Sequence, residues 1–179
     1  SGGFQLPGFL CLPKGVGPFP AALLVHGSGP HDADETVLGN KPFRDLAWGL
    51  ASRGVAVLRY AKRTQVMAQG PPVSLAGFTV REETIDDARA AAAFLCRTAG
   101  IDSARVYVVG HSLGGALAPR IAQGDVRVAG IVVLAGNARP LEELALEQLR
   151  YIAALDGTVD ESEKSGIAAA ERAVRAIQD

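Results

Sequence analysis

The chain has 179 residues, 48% of them apolar, with 18 Lys and Arg against 19 Asp and Glu and a formal net charge of −1. That is long and apolar enough for one globular domain with a sizeable core, and the balanced, scattered charge gives no electrostatic footprint for nucleic acid or an anionic membrane surface. No apolar run approaches the roughly 20 residues that span a bilayer, no secretory leader pattern opens the chain, and Cys11 and Cys96 lack metal or redox spacing and read as buried free thiols. The compartment stays open, with the cytoplasm slightly favoured.

Phe9 to Leu12 reads as a short early strand. Ala21-Ala-Leu-Leu-Val25 is a continuous apolar run between Pro20 and Gly27, the pattern of a strand buried on both faces. A loop from Ser28 to Lys41 leads to Pro42, placed where a first helical turn tolerates proline, and Phe43, Leu46, Ala47, Leu50 and Ala51 keep one apolar face until Gly54. Val55-Ala-Val-Leu58 is the next strand. Arg59 to Phe78, with Pro71-Pro72, reads as a long surface excursion of the kind that is functional or mobile. Thr79-Val-Arg-Glu82 is a capping box opening a helix that carries Ile85, Ala88, Ala92 and Leu95 and ends near Gly100. Arg105-Val-Tyr-Val-Val109 is a buried strand, Leu113 to Gln123 a small-residue helix that Pro119 should kink, and Val128 to Ala135 the last strand. The alternation from residue 9 to residue 135 predicts an α/β fold, a mainly parallel doubly wound sheet with helices on both faces. After Arg139 the pattern becomes helical, with Leu141, Leu144, Ala145, Gln148 and Ile152 on one face and Asp160-Glu-Ser-Glu163 capping a second helix through Ile167, Ala170 and Val174.

The most informative segment is Val108-Val-Gly-His-Ser-Leu-Gly-Gly-Ala-Leu117. Gly110-His-Ser-Leu-Gly114 fits G-x-S-x-G at a strand-to-helix junction, the nucleophile-elbow pattern, whose turn is so tight that the residues two before and two after the serine must lack bulk. It would present the Ser112 hydroxyl above the sheet at a helix N-terminus, where amides favour developing negative charge. The glycines of His26-Gly-Ser-Gly-Pro30, following the Ala21 to Val25 strand, free backbone N–H groups to turn toward a ligand oxygen. His26 itself reads as a brace for this loop.

His26-Gly-Ser-Gly-Pro30, Asp32, Asp34-Glu-Thr36, Asn40-Lys-Pro-Phe43, Val57-Leu-Arg-Tyr60 with Lys62-Arg63, and Gly110-His-Ser-Leu-Gly-Gly115 together resemble bacterial carboxylesterases of the α/β-hydrolase superfamily related to dienelactone hydrolases. The resemblance runs from about Leu6 to Leu155. It implies an eight-stranded sheet, a helical cap after the sixth strand, a triad in the order Ser, Asp, His, and an oxyanion hole built from the amide after the nucleophile, Leu113, and one from the earlier loop, Ser28, with Gly29 as the alternative. Ser112 is the only triad member that maps. Departures from the family pattern at His31, Ala33 and Ala61, where relatives tend to carry Asn, Arg and Asp, alter the loops beside the site. Asp32, Asp34, Glu35, Arg59, Lys62 and Arg63 read either as an ion-pair latch between two loops or as solvated surface charges.

A triad also needs a base and a carboxylate, and the three histidines, His26, His31 and His111, all precede Ser112. His111 is expected to direct its side chain away from the nucleophile, and Asp125, Asp156 and Asp160 follow no strand that would bring them to the catalytic edge. The chain therefore reads as the N-terminal part of a longer serine carboxylesterase, with a hydrolase core at 1–138 and a cap segment at 139–179 that ends within the cap. Alone it should be inactive, its Asp and His lying in a C-terminal part. His31 is the one candidate base within it. His31, Leu144 and Ile152 are the expected substrate contacts, a small-molecule ester is the expected substrate, and no cofactor or metal is implied. An unfinished sheet edge would favour self-association or a complementing C-terminal fragment. The rival reading is a catalytically silent module of the same fold that binds a small molecule or a partner.

Overall fold

The computed structural model describes residues 5–70, 77–125 and 127–178. The strands are β1 (Gly8–Cys11), β2 (Phe19–Val25), β3 (Ala56–Tyr60), β4 (Ile101–His111) and β5 (Gly130–Leu134). The helices are α1 (Pro42–Ala51), α2 (Arg63–Ala68), α3 (Asp86–Arg97), α4 (Leu113–Ala122), α5 (Leu141–Ala153) and α6 (Glu161–Gln178). The five strands lie in the order β1-β3-β2-β4-β5, parallel throughout except for β1, which runs antiparallel to β3. This is the mainly parallel α/β sheet that the alternation of elements predicts, with five strands among the described residues against the eight that the family resemblance implies.

β2 shows why an unbroken apolar run belongs in the middle of such a sheet. Successive side chains point to opposite faces, so Ala21, Leu23 and Val25 join a core with α3 and α4, while Ala22 and Leu24 join a second core with Phe43 and Ala47 of α1. From β2 the chain crosses through α1 to β3 on one side and later through α3 to β4 on the other. The carboxyl ends of β2 and β4, where Val25 pairs with Gly110, are thus the point at which the strand order reverses and ligands bind in open α/β sheets.

The Arg59 to Phe78 stretch departs from the expected surface excursion. Arg59 and Tyr60 complete β3, residues 63–68 form α2, and Arg59, Lys62 and Arg63 are buried. These charges stay inside because each finds a carboxylate partner, whereas a polar run without partners would have gone to solvent; Pro71-Pro72 lies outside the described residues. The Thr79 capping box forms, with Glu82 Oε2 accepting from the Thr79 N–H at 2.9 Å. A single π-helical turn, Arg81–Ile85, then precedes α3. The cysteines are free but only half-buried.

Contacts divide the chain into two compact units, Ser1–Gly136 and Asn137–Asp179. In the second, α5 and α6 pair through Arg150 and Glu171 at 2.6 Å, and Asp160 and Glu163 form a reciprocal capping box at 2.8 and 2.9 Å. No described helix is long and apolar enough to cross a membrane.

Candidate active site

β4 ends at His111, and Ser112 turns the chain into α4 with φ 51° and ψ −115°. A positive φ on a residue with a Cβ costs about 1–3 kcal/mol and persists only where the surroundings enforce it. They do: the Ser112 N–H donates to Leu134 O at 2.8 Å on β5, and the Ser112 carbonyl accepts from Ala116 N–H at 2.9 Å. The glycines are required by close approach. A Cβ on Gly110 would lie 2.2 Å from Gly114 O, and one on Gly114 would lie 2.3 Å from Val25 O and 2.6 Å from His26 O. Those distances are far inside contact range, so the steric argument from G-x-S-x-G holds atom by atom.

Gly27, Ser28, His31, Glu35, Val37, Pro42, His111 and Ser112 line one small pocket of about 180 Å³. Ser112, Ser28 and His31, three of the residues singled out in the sequence, therefore share a site. The amide of Leu113 opens α4, where first-turn N–H groups have no partner within the helix. The Ser28 N–H makes no hydrogen bond among the described residues, whereas the Ser28 carbonyl accepts from His31 Nε2 at 2.8 Å. Leu144, half-buried, and Ile152, exposed, lie on α5 in the other unit.

The loop after β2 is pinned by polar groups. His26 is 1% exposed, packs at a tilt against the Phe43 ring and donates from Nε2 to Asp32 O at 3.0 Å. Burial, reinforced by His31 and Lys62, pushes its pKa down to about 3, so it stays neutral and braces the loop. The Asp32 carboxylate accepts from the Asp34 N–H, the Thr36 N–H and the Thr36 hydroxyl at 3.0, 3.0 and 2.7 Å. Partial burial alone would raise its pKa, but these bonds and Lys41 outweigh it and hold the carboxyl below its usual range.

The alternative of solvated surface charges is overturned for Glu35, Arg59, Lys62 and Arg63. Arg59 pairs with Asp34, which also takes Lys41 at 2.9 Å, so part of the latch forms. Lys62 instead reaches Glu83 at 3.2 Å, and Arg63 reaches Asp87. Glu35, 2% exposed, carries the site's central bond set: its Oε1 accepts from the Gly27 N–H at 2.7 Å and from His111 Nδ1 at 3.0 Å. His111 therefore borders the pocket, contrary to the expectation that it points elsewhere, because the buried carboxylate draws it in. The Glu35 role was missed because its partners lie 8 and 76 residues away in sequence. Asp125, Asp156 and Asp160 are engaged locally, with Arg127, Thr158 and the Glu163 N–H.

The sequence profile of the Alpha/beta hydrolase family matches residues 22–176. The chain belongs to the alpha/beta hydrolase family. It is 50% identical over 150 residues, 84% of its length, to Esterase EstD of Thermotoga maritima, and spans 35% of that protein. Among solved structures of the family's fold, the 2,6-dihydroxy-pseudo-oxynicotine hydrolase superposes with a TM-score of 0.61 at 21% identity, covering 95% of this chain and 45% of that one. Acetyl xylan esterase 1 from Thermoanaerobacterium sp. JW/SL YS485 gives 0.56 at 18% identity, covering 89% and 55%.

Proposed function

We propose that the protein carrying this chain is a serine hydrolase of small carboxylic esters, acting through an acyl-enzyme on Ser112. The observation that carries the reading is the strained Ser112 backbone at the strand-order reversal, facing Ser28 across one pocket. The Ser112 hydroxyl attacks the ester carbonyl and its proton passes to a general base. The Ser28 and Leu113 amides hold the oxyanion, the alcohol leaves with that proton, and water then attacks the acyl-enzyme to release the acid. The similarity to Esterase EstD supports the ester as the bond cleaved.

The base and its carboxylate are assigned to sequence outside residues 1–179. Among the described residues the Ser112 hydroxyl makes no hydrogen bond to His26, His31 or His111, whose ring bonds go to Asp32 O, Ser28 O and Glu35 Oε1 respectively. α5 and α6 are assigned to a helical cap segment. That lack of a serine–histidine bond among the described residues favours a second reading, a silent binding module.

One experiment separates the two. In the complete protein, a fluorophosphonate probe should label Ser112 and p-nitrophenyl acetate should be turned over, with both lost in Ser112→Ala. Residues 1–179 alone should show negligible turnover, because enzymes stripped of triad members keep only a residual roughly 10³- to 10⁴-fold advantage over water. Labelling that survives Ser112→Ala would sink the assignment, and a complete protein with no turnover would favour the silent module.

A further inference from the structure

We infer that Lys62 is a positioning residue that sets and polarises the Gly27–Ser28 peptide, so that the Ser28 N–H is presented as an oxyanion donor. The inference rests on the esterase reading above and deepens it.

Lys62 follows β3, on the far side of β2 from the elbow, and is 2% exposed. Its Nζ donates to the Gly27 carbonyl at 2.8 Å, and its own N–H donates to the His31 carbonyl at 2.9 Å. One residue thus holds the loop that borders the pocket at two points, Gly27 and His31. The Gly27–Ser28 peptide is trans, and a trans peptide is planar with its C=O and N–H directed oppositely. Lys62 is not a lining residue of the pocket, whereas Gly27 and Ser28 are. Drawing the Gly27 carbonyl toward Lys62 therefore turns the Ser28 N–H the other way, and that N–H has no partner among the described residues.

Two further bonds narrow the choice. The Gly27 N–H is already spent on Glu35 Oε1 at 2.7 Å, so it is not available to an oxyanion. The Ser28 carbonyl is held by His31 Nε2 at 2.8 Å, which fixes the other side of the same residue. The Gly27–Ser28 peptide is thus held at its carbonyl end, and of the pocket-lining residues Gly27 and Ser28 it is Ser28 whose N–H has no partner among the described residues.

Charge matters beyond geometry. An ammonium on a carbonyl withdraws electron density through the peptide and makes the N–H at its other end a stronger donor, the cooperative effect of linked hydrogen bonds in a low-dielectric setting. The ammonium is kept in place by Glu83 Oε1 at 3.2 Å, itself held by the Thr64 hydroxyl at 3.0 Å. Burial works against the charge on Lys62, and Glu83 and Glu35 work for it.

The test uses the complete protein with p-nitrophenyl acetate. Because removing an oxyanion donor outright costs about 10²- to 10³-fold in kcat, Lys62→Met should lower kcat by roughly 10- to 100-fold with KM nearly unchanged. Lys62→Gln, which keeps a neutral donor, should fall between Met and wild type. Affinity for a trifluoromethyl ketone that forms an adduct on Ser112 should fall in parallel with kcat, while acetate inhibition should not move. Folded Met and Gln variants with wild-type kcat, or with kcat and acetate affinity falling together, would overturn the inference alone. Absence of any Ser112-dependent turnover in wild type would remove the esterase reading and this inference with it. Should neither variant fold, wild type decides: the Lys62 Nζ resonance should shift when the ketone adduct forms, and a resonance that does not respond would overturn the proposal.

Discussion

The elbow at Gly110 to Gly115 and the loop at Gly27 to Glu35 face one another across the same small pocket, and they are held by different forces. The elbow is a steric device: backbone atoms of β2, β4 and α4 approach so closely that only hydrogen fits at Gly110 and Gly114. The loop is an electrostatic one, in which Gly29 has open space around it and the chain is fixed by Glu35, Asp32, His26 and Lys62. Steric constraint is short in range and leaves a local mark in sequence. Polar constraint acts between residues far apart and leaves little.

The comparison breaks first at the glycines. Gly114→Ala should prevent folding or cost about 3 kcal/mol or more, because its Cβ would meet two backbone carbonyls that cannot rotate away. Gly29→Ala meets nothing within 4 Å and suffers only the strain of φ +87°, about 1–2 kcal/mol. Urea denaturation of the two variants measures the contrast, and equal losses would contradict it.

That same contrast explains what could be read from the residues alone. The β2 run, the Pro42 helix start and the Thr79 and Asp160 capping boxes depend on near neighbours in sequence, the elbow carries its glycine spacing within one short segment although Gly114 packs against Val25 and His26 of β2 and its loop, and each appears where its pattern placed it. The buried charges do not. Arg59, Lys62 and Arg63 read either as part of an ion-pair latch or as a solvated run, because the partners that decide it, Asp34, Glu83 and Asp87, lie 25, 21 and 24 positions away. Glu35 was equally hidden, since no spacing rule links it to His111.

Acid should release the electrostatic half before the steric one. His26 sits at about 3 in the fold against an ordinary 6.5, so between those values the unfolded chain binds a proton that the folded chain refuses. Stability from this residue is whole above about pH 6.5 and drains as pH falls toward 3, by about 1.4 kcal/mol per pH unit within the window. His26→Gln keeps a neutral donor for Asp32 O and should flatten this slope, as followed by urea midpoints from pH 7 to pH 4. An unchanged slope would mean that His26 is not the group refusing the proton.

Glu35→Ala should cost about 1–3 kcal/mol, since it leaves the buried Gly27 N–H without a partner. Glu35→Gln keeps an acceptor for both the Gly27 N–H and His111 Nδ1 and should lose less. Thermal denaturation ranks the pair. If Gln were the worse of the two, the negative charge beside Lys62, and not the hydrogen bond, would be what holds the loop.

The smallest effect belongs to Thr36, whose hydroxyl donates to Asp32 Oδ2 at 2.7 Å in the turn that also receives the His26 N–H. Partial burial by itself would lift the Asp32 pKa above 3.8, and the Thr36 hydroxyl leads the interactions that reverse this and leave it lowered. A carboxyl depressed in the fold contributes stability above its unfolded value and loses it as pH falls through the folded value. Thr36→Val removes the hydroxyl bond but leaves the two backbone N–H donors at 3.0 Å, so the carboxyl should move only part of the way back up. At pH 7 the expected loss is about 0.5–1.5 kcal/mol, the ordinary net worth of one hydrogen bond. Carboxyl-carbon NMR titration of Asp32 reads the shift directly: a rise in Thr36→Val supports the side-chain bond as a leading cause. An unmoved titration would assign the depression to the Asp34 and Thr36 amides, making the turn's backbone sufficient to hold the charge that anchors this half of the pocket.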